Sequence, residues 1–193
     1  MDHQYIEGQT FKNTDFSSQP VSKTEYENCT FIGCNFSGAT LVENKFIESE
    51  FIDCNLSNAN ISKAAFQDVK FQKCKMLGLQ FDKCNAFGFS VVFEDCQLND
   101  SIFYQVDLSR SSFVSSQLGG VDFTKAKLKG IALIHCDLLH ATFEDTDLQK
   151  ADLTNSINYS VDPEINKIKG ARFSLPEVIG LLDKYNIKIE RHN

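Results

Sequence analysis

Large hydrophobic side chains recur at every fifth position along most of this chain, with mainly polar residues between them. From residue 31 to residue 81 they are Phe31, Phe36, Leu41, Phe46, Phe51, Leu56, Ile61, Phe66, Phe71, Met76 and Phe81. A second block runs Phe93, Leu98, Phe103, Leu108, Phe113, Leu118, Phe123, Leu128, Leu133, Leu138, Phe143, Leu148 and Leu153. All 24 positions carry Phe, Leu, Ile or Met. A period of five is neither the 3.6 of a helix nor the 2.0 of a strand. It predicts a repeat architecture, in which function is carried by a surface more readily than by a pocket.

A second position repeats in step with the first. Two residues before each large hydrophobe stands a small side chain: Cys29, Cys34, Ala39, Ser49, Cys54, Ala59, Ala64 and onward to Ala141, Thr146 and Ala151. Only Asn44, Leu79 and Ile131 depart from Ala, Cys, Ser, Thr or Val, so 21 of 24 comply. One large and one small inward group per five residues suits a narrow tube. Its core is expected to hold Phe31, Phe36, Phe51, Phe71, Phe103, Phe123, Leu138 and Leu153.

Ala59-Asn60-Ile61, Ala151-Asp152-Leu153, Cys54-Asn55-Leu56, Cys34-Asn35-Phe36 and Cys136-Asp137-Leu138 resemble the Ala-(Asp/Asn)-Leu-x-x signature of the pentapeptide-repeat family. The resemblance covers roughly residues 5 to 175. It implies an all-β fold, the right-handed quadrilateral β-helix, in which four pentads make one square coil. At ~4.8 Å per coil, roughly eight coils give a body on the order of 40 Å long.

The rhythm changes at three places. At the amino end the register runs back through Tyr26, Val21, Phe16, Phe11 and Ile6, but the small positions become Gln4, Gln9, Thr14 and Gln19. Residues 1–25 therefore read as a degenerate coil that caps the tube, since a bare end exposes core and unpaired backbone. Residues 26–173 form the solenoid, with a break near 84–92, because Phe81 and Phe93 lie twelve residues apart rather than ten. That insertion holds Phe87, Gly88 and Phe89. It reads either as a bend with both rings tucked against the body or as an aromatic contact for a partner.

Residues 174–193 are expected to form a C-terminal α-helix followed by a dimerisation strand. Ser174 and Glu177 have capping-box spacing, and Pro176 falls in the first turn, where its missing N–H is harmless. Leu175, Val178, Ile179 and Leu182 make an apolar stripe, and Ile187-Lys188-Ile189-Glu190 alternates as a strand does. The run from Leu181 to Ile189 also resembles the end of the Qnr quinolone-resistance proteins and their gyrase-interacting relatives. That resemblance implies a homodimer through Leu175, Val178, Ile179, Leu181, Leu182, Ile187 and Ile189, and DNA gyrase as a partner. This chain has no long insertion like the projecting loops of several Qnr proteins.

The formal net charge of −7 disfavours direct contact with nucleic acid. It fits an acidic rod addressing a protein that binds DNA, and equally a solvated surface; assigning pentads to four faces yields no clean acidic stripe. All seven cysteines fall at the small position, and Cys34, Cys54 and Cys74 should stack inside the tube. They read as buried thiols, not a disulfide or metal framework. His135 and His140 should point outward while Cys136 points in. The chain start lacks the basic and apolar regions of a secretory signal, and no apolar run approaches ~18 residues, so a cytoplasmic protein without membrane contact is expected. With no nucleophile elbow, phosphate loop or His-Glu-x-x-His, no enzyme and no cofactor are expected. Two functions remain: a DNA-mimicking, topoisomerase-protecting dimer, or an interaction scaffold for another protein.

Overall fold

A computed structural model describes residues 4–18 and 23–190. Val21, Gln19 and the first three residues lie outside the described residues. The chain winds as an all-β, right-handed quadrilateral β-helix in which every ladder is parallel. One face carries β1 (Gln4–Glu7), β3 (Thr24–Glu27), β5 (Lys45–Ile47) and β7 (Ala65–Gln67). The next face carries β2 (Thr10–Lys12), β4 (Thr30–Ile32), β6 (Glu50–Ile52), β8 (Val69–Gln72), β9 (Val91–Glu94), β10 (Ser112–Val114) and β11 (Ala132–Ile134). Isolated bridges such as Asn35↔Asn55 and Thr40↔Asn60 hold the remaining faces.

Partners stand 20 residues apart until the break. There Phe71 faces Phe93, a step of 22, so one corner absorbs both inserted residues and the register resumes. The large position fills the tube with stacked rings. Phe11, Phe31, Phe51, Phe71, Phe93 and Phe113 form one column, and across the molecule stacked centroids lie 4.5–5.5 Å apart, close to the coil rise. Phe31, Phe36, Phe51, Phe71, Phe103, Phe123, Leu138 and Leu153 are all buried.

Two kinds of corner connect the faces, and the bond made by the amide of the small residue distinguishes them. At a tight corner the amide of the small residue donates to the preceding large residue, as from Ala39 to the Phe36 carbonyl (2.9 Å) and from Ala126 to Phe123 (3.0 Å). At the open corner that follows a strand this bond is replaced by one to the next coil. The Cys29 amide donates to Ser49 Oγ (3.1 Å), Cys34 to Cys54 Sγ (3.4 Å) and Cys96 to Ser116 Oγ (3.1 Å). The same side chains donate onward, Cys54 to the carbonyls of Phe31 and Ile52 at 3.3 Å each. Cys29, Cys34, Cys54, Cys74, Cys96 and Cys136 each follow a strand and are buried. Their thiols thus serve as hydrogen-bonding links between coils as well as small apolar fillers, because a buried amide left unpaired is costly. Burial pushes the thiols of Cys34, Cys84 and Cys136 up, Cys136 to about 11, so they stay protonated donors at neutral pH.

Most corners place the residue before the small position in left-handed backbone. Asn28, Asp53, Asn58, Lys63, His135, His140 and Gly33 all have φ between 48° and 61°. This strain explains why Asn, Asp, Gly and other unbranched residues hold that position.

The amino end continues the tube, while the carboxyl end differs from expectation. β1 and β2 pair with β3 and β4, so the amino-terminal residues continue the two sheets, with Ile6, Phe11 and Phe16 half-buried in the last layer. At the other end Asn158 is exposed and Tyr159 turns into the core beside Phe173, with ring centroids 5.6 Å apart. The expected C-terminal α-helix is instead two 3-10 turns, Glu177–Leu181 and Asp183–Tyr185. The Gly180 carbonyl, which an α-helix would commit to residue 184, accepts the Val161 amide (3.1 Å). Ser174 Oγ accepts the Asn155 amide (3.0 Å) and so does not cap the turn. A ten-residue segment has little helical preference to resist such competition. Residues 187–190 carry no strand, because no edge in the protomer pairs with them.

Candidate interaction surface

The interior leaves no room for a substrate, so candidate sites lie on the outside. The first is the C-terminal element. Gly180 seats it: a Cβ there would stand 2.0 Å from the Tyr159 carbonyl oxygen, a clash only glycine avoids. Lys184 ties it to the preceding segment through Asp162 (2.8 Å) and Glu164 (2.6 Å), and Tyr185 Oη donates to Glu164 (2.9 Å). Lys184 holds both carboxyls below their ordinary range.

Of the predicted dimer residues, Ile179, Leu182, Ile187 and Ile189 line one groove of about 320 Å³ with Asp183 and Asn186. Leu181 packs against the core, while Leu175 (85% exposed) and Val178 lie outside that lining. Tyr159, inside the tube end, has the one buried side-chain polar atom without a hydrogen-bond partner among the described residues. Burial pushes its hydroxyl up to about 12. Sequence reading missed Tyr159 because its neighbour Asn158 holds the register position.

The second candidate is the inserted corner. Phe87 is 79% exposed, whereas Phe89 is 6% exposed and meets Phe81 edge-on at 6.2 Å. The structure therefore divides the two rings between the two readings: Phe89 replaces the core residue this coil lacks, and Phe87 projects. Asn85 Oδ1 accepts the Phe87 amide (3.0 Å) and Gln67 Nε2 donates to its carbonyl (3.2 Å), so the backbone beneath the ring is held on both sides. Gly88, at φ +69°, makes the reversal between them.

The face that begins with β1 passes through this corner and carries an uneven charge. Before it stand Glu7, Glu25, Glu27, Glu48 and Asp68 against Lys45. After it stand Arg110, Lys127, Lys129, Lys150, Lys167 and Lys169 against Asp107 and Asp147. No face of the described residues is acidic from end to end. The sign change escaped sequence reading because the face, summed along its length, is neutral; a tally by half would have found it.

The remaining surface offers little chemistry. A cleft of about 410 Å³ beside the inserted corner is lined by Asp82, Cys84, Asn85, Tyr104, Asp107 and Lys127 among others, without an activated nucleophile. Among the described residues no group of three or more His, Cys, Asp and Glu could hold a metal ion, and His135 and His140 are exposed while Cys136 is buried. No helix of the described residues is long and apolar enough to cross a membrane.

A family model described as a pentapeptide repeat region matches residues 24–88 and 86–173. Among solved structures, a trypsin-treated form of QnrB1, described as a plasmid-mediated fluoroquinolone resistance protein, superposes with a TM-score of 0.63 at 19% identity. The match covers 97% of this chain and 98% of that one. A second trypsin-treated QnrB1 gives 0.61 at 23% identity, covering 99% and 96%. HetL, a pentapeptide repeat protein involved in heterocyst differentiation regulation from the cyanobacterium Nostoc sp. strain PCC 7120, gives 0.53 at 18%, covering 89% and 86%. No curated protein matches the chain in sequence. At these identities the likeness is one of fold.

Proposed function

We propose, since the chain belongs to the pentapeptide-repeat family, that it works without catalysis, as a rigid rod that binds another protein. The observation that carries this is the contrast between a sealed interior and a surface with fixed apolar features. The large and small inward positions are buried almost throughout, while Phe87 and the Ile179–Ile189 groove face solvent. A protein partner reads such features, and the filled interior has no room for a small substrate.

A second, narrower reading makes that partner a type II topoisomerase such as DNA gyrase, with the rod standing in for DNA. It is supported by the end-to-end fold likeness to a fluoroquinolone resistance protein and by the net charge of −7. Against it stands the lack of a continuous acidic face among the described residues. In this reading two copies join through Ile179, Leu182, Ile187 and Ile189, and residues 187–190 gain in the dimer the strand partner they lack in the protomer.

The test is supercoiling by purified gyrase in the presence of ciprofloxacin, with this protein and its Leu182→Arg variant titrated in. Rescue by the native chain that the variant loses is the result expected of a dimeric protector. No effect at saturating protein removes the topoisomerase reading and leaves the interaction rod, whose partner is then sought by affinity capture.

A further inference from the structure

The charge reversal and the exposed ring share one face, and their arrangement is symmetric. Four coils precede Phe87 on that face, centred on Ile6, Tyr26, Phe46 and Phe66, and four follow, centred on Leu108, Leu128, Leu148 and Ile168. The first half carries five acids and one lysine, and the second carries six basic residues and two acids. The two halves are therefore equal and opposite, and Phe87, more exposed than Tyr5 at the end of the same face, marks the midpoint. A face of this kind is complementary to itself when turned end for end.

We propose that two copies of this chain associate side by side and antiparallel through this face, about a two-fold axis at Phe87. Turning one rod over brings coil 6 opposite coil 168, coil 26 opposite 148 and coil 46 opposite 128. Glu7 then faces Lys169, Glu27 faces Lys150, and Glu48 faces Lys129. Lys129, Lys150 and Lys169 are exposed and make no ion pair among the described residues, so their charge is available. Where like charges would meet, Lys45 is neutralised within its own chain by Glu25 (2.8 Å) and Lys127 by Asp107 (3.3 Å), which leaves Asp147 opposite Glu25 as an unfavourable contact that the surrounding pairs must outweigh.

The two Phe87 rings meet on the axis, each on a backbone fixed by Asn85 and Gln67. That gives the contact an apolar centre and a polar rim, the anatomy of a protein interface. A face ~40 Å long and about 16 Å wide offers roughly 640 Å² per copy, at the low end of what specific interfaces bury. A parallel pairing would set acid against acid. An acidic or basic foreign partner would match only half the face.

This pairing is lateral and requires no topoisomerase, so its test is independent of supercoiling. Two charge-reversed chains serve: Glu7→Lys with Glu27→Lys and Glu48→Lys, and Lys129→Glu with Lys150→Glu and Lys169→Glu. All six positions lie on the surface, and circular dichroism checks that both chains fold. Sedimentation velocity should show the native chain associating about tenfold more tightly at ~50 mM salt than at ~300 mM, since the rim charges are screened. Each reversed chain alone should lose this salt-dependent association, and an equimolar mixture should recover it as a heterodimer. Phe87→Glu should abolish it in the native background. If the reversed chains stay apart on mixing, or the native mass ignores both salt and reversal, the proposal fails. End-to-end pairing through Leu182 responds to neither reversal and cannot imitate the expected pattern.

Discussion

The amino-terminal and carboxyl-terminal halves share one frame but close it differently. Up to Phe81 two faces carry strands, most core positions are aromatic, and four of the five strand-following cysteines or serines from Cys29 to Cys74 are thiols. From Phe93 onward only the face of β9, β10 and β11 has strands, and leucine takes most of the large positions. The corners of the other faces there are mainly tight, as at Val106, Val121, Ala126, Ile131 and Ala141. The difference teaches that a strand is followed by an open corner, whose amide must be satisfied from the next coil, as Ser49, Cys54 and Ser116 do for Cys29, Cys34 and Cys96. The tight corner satisfies its amide within its own turn and so accepts either kind of small residue, Val106 and Ala126 as well as Ser101 and Ser156.

The most severe way to break the comparison is at the join. Phe71 stacks on Phe93 at 5.3 Å across the two-residue shift. Phe71→Asp buries a carboxylate with no partner and should prevent soluble folding of both halves. A soluble variant with an unchanged circular dichroism spectrum would contradict the tube.

A smaller change sharpens it. Cys54→Ala removes the acceptor for the Cys34 amide and the donor to Phe31 and Ile52. It should destabilise by about 1–3 kcal/mol, whereas Cys54→Ser should keep most of the stability. Denaturant unfolding gives the magnitude, and hydrogen exchange should place the loosening in the amino-terminal half. Equal loss for Ala and Ser would mean that volume, not hydrogen bonding, governs the open corner.

The mildest effect belongs to the carboxyl-terminal end alone. The folded pKa values of Asp162 and Glu164 lie below their ordinary 3.8 and 4.5, held there by Lys184. The contribution of these contacts is therefore complete above those ordinary values and fades as acid lowers the pH through the folded ones. Hydrogen exchange around Asp183–Tyr185 should quicken below about pH 4.5 before the rest of the tube responds, and Lys184→Met should remove that pH dependence.

The tube itself was legible in the sequence because its constraint is steric and repeats: Phe31, Phe51 and Phe71 have one environment, and a polar residue there would be buried. The 22-residue step was equally plain from the spacing of Phe81 and Phe93. What escaped were places where neighbours compete. Asn158 and Tyr159 trade positions because the last coil has Phe173 to receive a ring. Val161 claims the Gly180 carbonyl from the expected helix, a contest no local pattern records. Phe87 and Phe89 share a short insertion and differ only in which side of Gly88 faces the core. The charged halves were hidden because the seven acids and seven basic residues of that face cancel when summed along its length.

The constant offset between ladder partners, 20 residues or 22 at the break, has a kinetic consequence. Set against 193 residues it corresponds to a relative contact order of about 0.1, in the range of helical bundles and below the ~0.16–0.22 of β-sandwiches. No coil waits for a distant segment; each closes on the one made just before it. Ordering can begin at any turn of the tube and spread from it in both directions. An all-parallel β protein thus escapes the slow search that long-range strand pairing imposes, and does so by asking every residue to find a partner only one lap away.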